Sequence, residues 1–262
     1  MFDFHMHSTV SYDGHNTGLE MAQAAKTAGM REICFTDHLD YDPRKLVKMD
    51  FDTQVYNAAY DDLEVPGLII RRGAEFGMLR DNPQTLKEDL QRRHFDFIIG
   101  SCHFTENLDI YFPPFWENRT MDEAERLYLE EVLACVNAHE DFDVLGHLTY
   151  ISKTRSNPTH RPVEYETYRE IVDEILRTLV RKGKGMEVNT SGMERCGVFL
   201  PTADYLRRFK ELGGEIVTVG SDSHNTARAG QHCHEAAKLV QEIFGHVCTF
   251  ADREPIFHRI KF

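Results

Sequence analysis

The sequence predicts an α/β fold whose parallel strands close into a TIM-like barrel. Short apolar runs alternate with amphipathic, helix-like stretches about seven times along the chain, which predicts parallel strands joined by helical crossovers. Nearly every run also ends in a metal-capable side chain: His5 and His7, His38, Glu75, His103, His147, then Asp222 and His224. An open sheet gathers ligands at one switch point from two or three strands. The C-terminal ends of many strands converge only when the sheet closes.

The predicted strands are "FDFHMH" (2–7), "EICFTDH" (32–38), "GLIIRRGAEF" (67–76), "FDFIIGSCH" (95–103), "DVLGHL" (143–148), "GMEVNTSG" (185–192) and "EIVTVGSDSH" (215–224). Between them, apolar residues recur at helical spacing. Leu19, Ala22 and Ala25 mark a helix over 18–28 that stops at Gly29. Leu129, Val132, Leu133 and Val136 mark one over 122–139, and Tyr168, Ile171, Val172, Ile175, Leu176 and Leu179 one over 165–180. Tyr205, Leu206 and Phe209 mark one over 202–212, ending at Gly213-Gly214. The whole of 1–262 is expected to form one barrel domain, with its chemistry at the C-terminal mouth.

Composition narrows the function. A net charge of −13 argues against a generic nucleic-acid surface, which needs a basic patch. An acidic protein still holds a phosphorylated substrate if metal ions supply positive charge, and the chain has 14 histidines. The six cysteines form no CxxC pair, and Met1–Val10 lacks the n- and h-regions of a signal peptide. We read a cytoplasmic protein with reduced thiols and no membrane partner, since no apolar run approaches the ~20 residues a span needs. Oligomeric state is left open.

His5-Met6-His7 is the clearest chemical signal. On a strand, residues two apart share a face with Cα atoms ~6.5 Å apart, so both imidazoles reach one metal. Asp222 and His224 repeat this spacing in "GSDSH", directly after an apolar run. A second HxH, His232-Cys233-His234, falls in a polar helical segment where such positions point apart, and we give it no role. Burying so many imidazoles and carboxylates without metal or mutual neutralisation would cost several kcal/mol per group. Six histidines and two carboxylates exceed the three or four ligands of one tetrahedral zinc. They suit two to three divalent ions, with a carboxylate such as Glu75 bridging; N/O ligation without cysteine fits Zn, Fe or Mn.

The motifs "HMHSTVSYDG", "TDH", "GAEFG", "IIGSCHF", "LGHL", "EVNTSG" and "GSDSH", in that order, span essentially the whole chain. In them the sequence resembles the PHP family, named for polymerase and histidinol phosphatase, and specifically its monofunctional histidinol-phosphate phosphatases. The resemblance implies a distorted (β/α)7 barrel with up to three metals. It places one metal on His5, His7, Glu75 and Asp222, a second on Glu75, His103 and His147, and a third on Asp13, His38 and His224. At the third, His15 is a rival to Asp13 two residues away. Asp222 and His224 are expected to act in catalysis as well.

The expected reaction is hydrolysis of L-histidinol phosphate in histidine biosynthesis, with a hydroxide held between metals attacking phosphorus. Another small phosphomonoester or nucleotide is the alternative substrate. Arginine matches the remaining phosphate oxygens, which makes Arg195 and then Arg155 the expected substrate-binding cations, with Lys153 beside them. The loop 106–118, with Tyr111, Phe112, Phe115, Trp116 and Glu117, is expected to roof the pocket over an aromatic, cationic head.

Overall fold

The computed structural model describes residues 1–44 and 48–262. All seven predicted strands are present: β1 (Phe2–Met6), β2 (Glu32–Phe35), β3 (Ile69–Gly77), β4 (Phe97–Ser101), β5 (Val144–Leu145), β6 (Gly185–Asn189) and β7 (Val217–Gly220). They pair in sequence order, parallel throughout, as a barrel does. Apart from Ile69 and Ile70 at the start of β3, their apolar side chains are buried on both faces, which is why the runs read as continuous rather than alternating.

The ring is nearly closed. β7 and β1 share no full ladder; Asp222 N–H donates to His5 O at 2.7 Å and His7 N–H to Ser223 O at 2.9 Å. Asp3 staples this seam from within β1. Its buried carboxylate accepts from Ser221 N–H (2.8 Å), Ser221 Oγ–H (2.5 Å) and Gly230 N–H (2.9 Å).

The helices fall where periodicity put them, at Gly18–Thr27, Met121–Ala138, Arg169–Arg181 and Ala203–Glu211. Thr17 with Glu20 and Thr120 with Glu123 form capping boxes that satisfy the first orphan N–H groups of two of them. Among the described residues, no helix is long and apolar enough to cross a membrane. All six cysteines are free thiols.

Other elements add to this frame. The run 32–38 breaks after Phe35, and a second strand, His38–Tyr41, pairs in parallel with the end of β3, setting His38 opposite Glu75. It turns back as Lys48–Asp50. At the chain's end, helix Cys233–Phe244 packs on β1, β6 and β7. An antiparallel hairpin, Val247–Ala251 with Glu254–His258, follows it. Phe250 stacks on Phe97 at 4.9 Å and Arg253 Nε–H donates to Asp143, so this hairpin covers the N-terminal ends of β4 and β5, opposite the mouth.

Candidate metal centre

The C-terminal strand ends deliver every predicted ligand to one cavity of about 540 Å³ or to the buried cluster at its floor. His5 and His7 leave the end of β1; His38 follows β2, and Glu75 lies near the end of β3. His103 and His147 lie just beyond β4 and β5. Asp222 and His224 follow β7, with Asp222 in the left-handed region at φ 53°. An aspartate tolerates that conformation at a small cost, and such strain collects at functional sites.

The donor atoms gather into three groups. His5 Nε2 and His7 Nε2 lie 3.2 and 3.6 Å from Glu75 Oε2, and 3.8 and 3.5 Å from Asp222 Oδ1. Glu75 Oε1 faces the second group, 3.3 Å from His103 Nε2 and 2.8 Å from His147 Nε2. In the third, Asp13 Oδ2 stands 3.6 Å from His38 Nε2 and 3.1 Å from His224 Nε2. Asp13 Oδ2 is the oxygen that faces both rings; His15 lines the cavity and bonds His224 O through its backbone. Ligands 2.0–2.2 Å from a tetrahedral ion stand roughly 3.4 Å apart, and these separations bracket that value.

The ring nitrogens are oriented for the same purpose. His5 Nδ1 meets Glu187 Oε1 at 2.6 Å, and His103 Nδ1 meets Asp40 Oδ2 at 2.8 Å. His224 Nδ1 meets the Asp222 carbonyl at 3.0 Å. Ser11 Oγ donates its proton to Asp37 at 2.9 Å, so it accepts from His7 Nδ1 at 3.1 Å. In these four histidines Nδ1 carries the proton and Nε2 is turned to the centre. His5 Nε2, His7 Nε2 and Glu75 Oε2 are buried without any hydrogen-bond partner. Buried polar atoms are normally paired, so these orphans fit divalent cations.

Electrostatics points the same way. Burial opposes charge on His5, His38 and His103, yet the carboxylates prevail: Glu187 and Glu75 hold His5 well above its usual range, and Asp40 and Glu75 do so for His103. Glu75 and Asp40 lift His38 to about 9. Burial presses His7 down, aided by His224 and His38. Against its own burial, Glu75 is held well below the carboxylate range by His5, His38 and His103. Asp222 is held there by Lys153 and His5. Imidazolium charge neutralises the carboxylates here, a role divalent cations fill better while leaving histidine neutral.

The expected substrate cations separate. Arg195 lines the cavity, donates to Lys153 O at 3.0 Å and lies over the Tyr111 ring at 5.9 Å. Arg155 is exposed and outside the cavity lining. The turn Tyr150–Lys153 points Lys153 inward instead, where Nζ bonds Ser191 Oγ at 2.6 Å and Asp222 Oδ2. Of the loop 106–118, Tyr111 and Phe112 line the cavity, with Asp109 as the nearby carboxylate. Phe115 is buried, Trp116 packs against the core, and Glu117 is not among the lining residues.

The PHP domain model matches residues 3–191. A histidinol-phosphatase of Lactococcus lactis is 31% identical over 257 residues, covering 95% of this chain and 94% of its own. A probable histidinol-phosphatase of Thermotoga maritima is 30% identical, covering 92% of each chain. The crystal structure of a Lactococcus lactis histidinol phosphate phosphatase, complexed with zinc, L-histidinol and phosphate, superposes with a TM-score of 0.79. It is 28% identical and covers 97% of this chain and 98% of that one. The chain therefore belongs to the PHP-domain family and, within it, to the histidinol-phosphatases.

Proposed function

We infer that this chain is a metal-dependent phosphomonoesterase that hydrolyses L-histidinol phosphate to L-histidinol and phosphate. The observation that carries the reading is the convergence of overlapping histidine and carboxylate donor sets, with orphaned Nε2 and carboxylate atoms, on the floor of one cavity. The relatives' shared activity and the zinc, histidinol and phosphate of the Lactococcus lactis structure support the substrate. We propose two to three divalent ions, of Zn, Fe or Mn, on the residue sets His5/His7/Glu75/Asp222, Glu75/His103/His147 and Asp13/His38/His224. When bound, such ions supply Lewis acidity toward the phosphoryl oxygens and make water nucleophilic at neutral pH.

The chain's own residues do the rest. In the reaction a water oxygen bonds to phosphorus, the ester P–O bond breaks, and the leaving alkoxide takes a proton. The proton given up by the attacking water balances the alkoxide, and we assign Asp222 and His224 a catalytic part through the ions they would hold; they stand together at the mouth with His224 Nδ1 tied to the Asp222 carbonyl. Arg195 is placed to grip phosphoryl oxygens as a fork and Lys153 as a point charge. Tyr111, Phe112 and Tyr12 wall the cavity where a flat heteroaromatic head would lie. We take 1–262 as a single catalytic domain and the cytoplasm as its compartment.

The test is phosphate release by the purified, metal-loaded chain from L-histidinol phosphate and a panel of sugar and nucleotide monoesters. Histidinol phosphate should lead the panel, and chelation should abolish turnover. Faster release from another monoester would move the chain to the alternative substrate class.

A further inference from the structure

Glu187 was not singled out by the sequence, yet it touches two of the metal-facing strand ends. It lies on β6 with 1% of its surface exposed, below the donor groups and outside all three. Oε1 accepts from His5 Nδ1 at 2.6 Å. Oε2 accepts from His147 N–H at 2.8 Å and from Asn189 Nδ2 at 3.1 Å. The carboxylate therefore orients the ring of one ligand, two strands away around the barrel, and the backbone of another beyond the adjacent strand.

The surroundings leave it no alternative place. A Cβ at Gly220 would stand 2.5 Å from Glu187 Oε1, so the glycine of "GSDSH" makes room for this carboxylate. Oε1 faces a ring nitrogen and Oε2 faces two N–H donors, an arrangement that calls for two acceptor oxygens.

We propose that Glu187 is a positioning residue for the metal centre: it fixes His5 with the proton on Nδ1 and Nε2 toward the metal, and pins His147 beside it. The proposal rests on the metal-dependent reading above. Carboxylates in this relation to a ligating histidine commonly set metal affinity by 10–100-fold.

Glutamine at 187 is the sharp probe, because it keeps the shape but offers one oxygen. Either its NH2 faces His5 Nδ1–H, or it faces the two donors on the Oε2 side. Zinc affinity of the parent and of Glu187→Gln would be measured by competition with a chromophoric chelator, alongside circular dichroism and kcat on histidinol phosphate. We expect a 10–100-fold weaker zinc affinity in a folded variant, with kcat largely recovered at saturating zinc. His5→Ala, which deletes a donor, should not recover. Parental zinc affinity in Glu187→Gln would overturn the proposal, whereas a parent that binds no zinc would overturn the metal reading itself. Should the variant not fold, the crystal structure of the zinc-loaded parent decides: zinc on His5 Nε2 with Glu187 on Nδ1 sustains the proposal. Zinc on Nδ1, or on Glu187, ends it.

Discussion

Replacing Gly220 with alanine tests how tightly the barrel seam holds the metal centre. The added methyl would stand 2.2 Å from His5 Cβ and 3.1 Å from His5 N. Carbons in contact prefer ~3.5–4.0 Å, so the shortfall is about 1.5 Å. Both atoms are fixed to the β1 backbone, and no side-chain rotation relieves them. β1 has to withdraw from the end of β7, stretching the 2.7 Å bond from Asp222 N–H to His5 O. Overpacking costs ~1–3 kcal/mol and the weakened seam bond about 1 more, so we expect a loss of about 2–4 kcal/mol. His5 is carried along, and a misplacement of about 1 Å at a reacting centre costs on the order of 100-fold in rate. The control is Gly183→Ala, at φ 66° with nothing within 4 Å of the new methyl. It should lose about 1–2 kcal/mol from the left-handed backbone and no activity. Urea denaturation and kcat/KM at saturating zinc would be measured for both. If Gly220→Ala matches Gly183→Ala in stability and the parent in kcat/KM, the reasoning about the seam is refuted.

The remaining predictions concern single side chains. Glu75→Ala should lose both metal and turnover, because its two oxygens face different donor groups; elemental analysis showing undiminished metal would remove it from that role. His7→Ala should behave likewise. Arg195→Ala should lower kcat/KM for histidinol phosphate by roughly 10–100-fold with metal content intact, and Arg195→Lys should rescue poorly. Arg155→Ala should match the parent, and the reverse pattern in steady-state kinetics would transfer the phosphate grip to Arg155. Away from the mouth, Arg208 holds the buried Asp173 carboxyl at about 2 against 3.8 unfolded. A depressed carboxyl stabilises above its unfolded value, here by about 2 kcal/mol, and loses this as pH falls from about 5 toward 2. Asp173→Asn should therefore be less stable than the parent at pH 7, with the gap closing near pH 2–3; a gap independent of pH would contradict the assignment.

What the sequence could express, it expressed through local pattern. All seven strand runs are apolar enough to stand out, and every predicted ligand but Asp13 lies at the end of its run or within a few residues of it, so the barrel and its mouth were readable. The supporting residues were not. Asp40 and Glu187 sit inside or beside strands as single acids, and nothing local says which ring nitrogen each will meet 63 or 182 positions away. Asp3 is one acid among apolar neighbours, and its partners lie some 218 residues on. Arg155 and Lys153 are two residues apart, and only the turn Tyr150–Lys153 decides which faces the cavity. The final hairpin turns through Asp252-Arg253 at φ 50° and 68°, where the usual Asn-Gly signal is missing.

The seam described above has a temporal side. The first donor group unites His5 and His7 with Asp222, so it cannot exist on a nascent chain until residue 222 has left the ribosome. Every earlier intermediate exposes an unpaired β1 edge and imidazoles with no fixed geometry, and contacts of such long range form late and slowly. If the proposed set of His5, His7, Glu75 and Asp222 holds an ion, that ion would bind tightly only after the ends have met. Metal supply during synthesis should then govern the yield of native enzyme more than its rate of collapse, because such an ion would act as a latch on the last step to form.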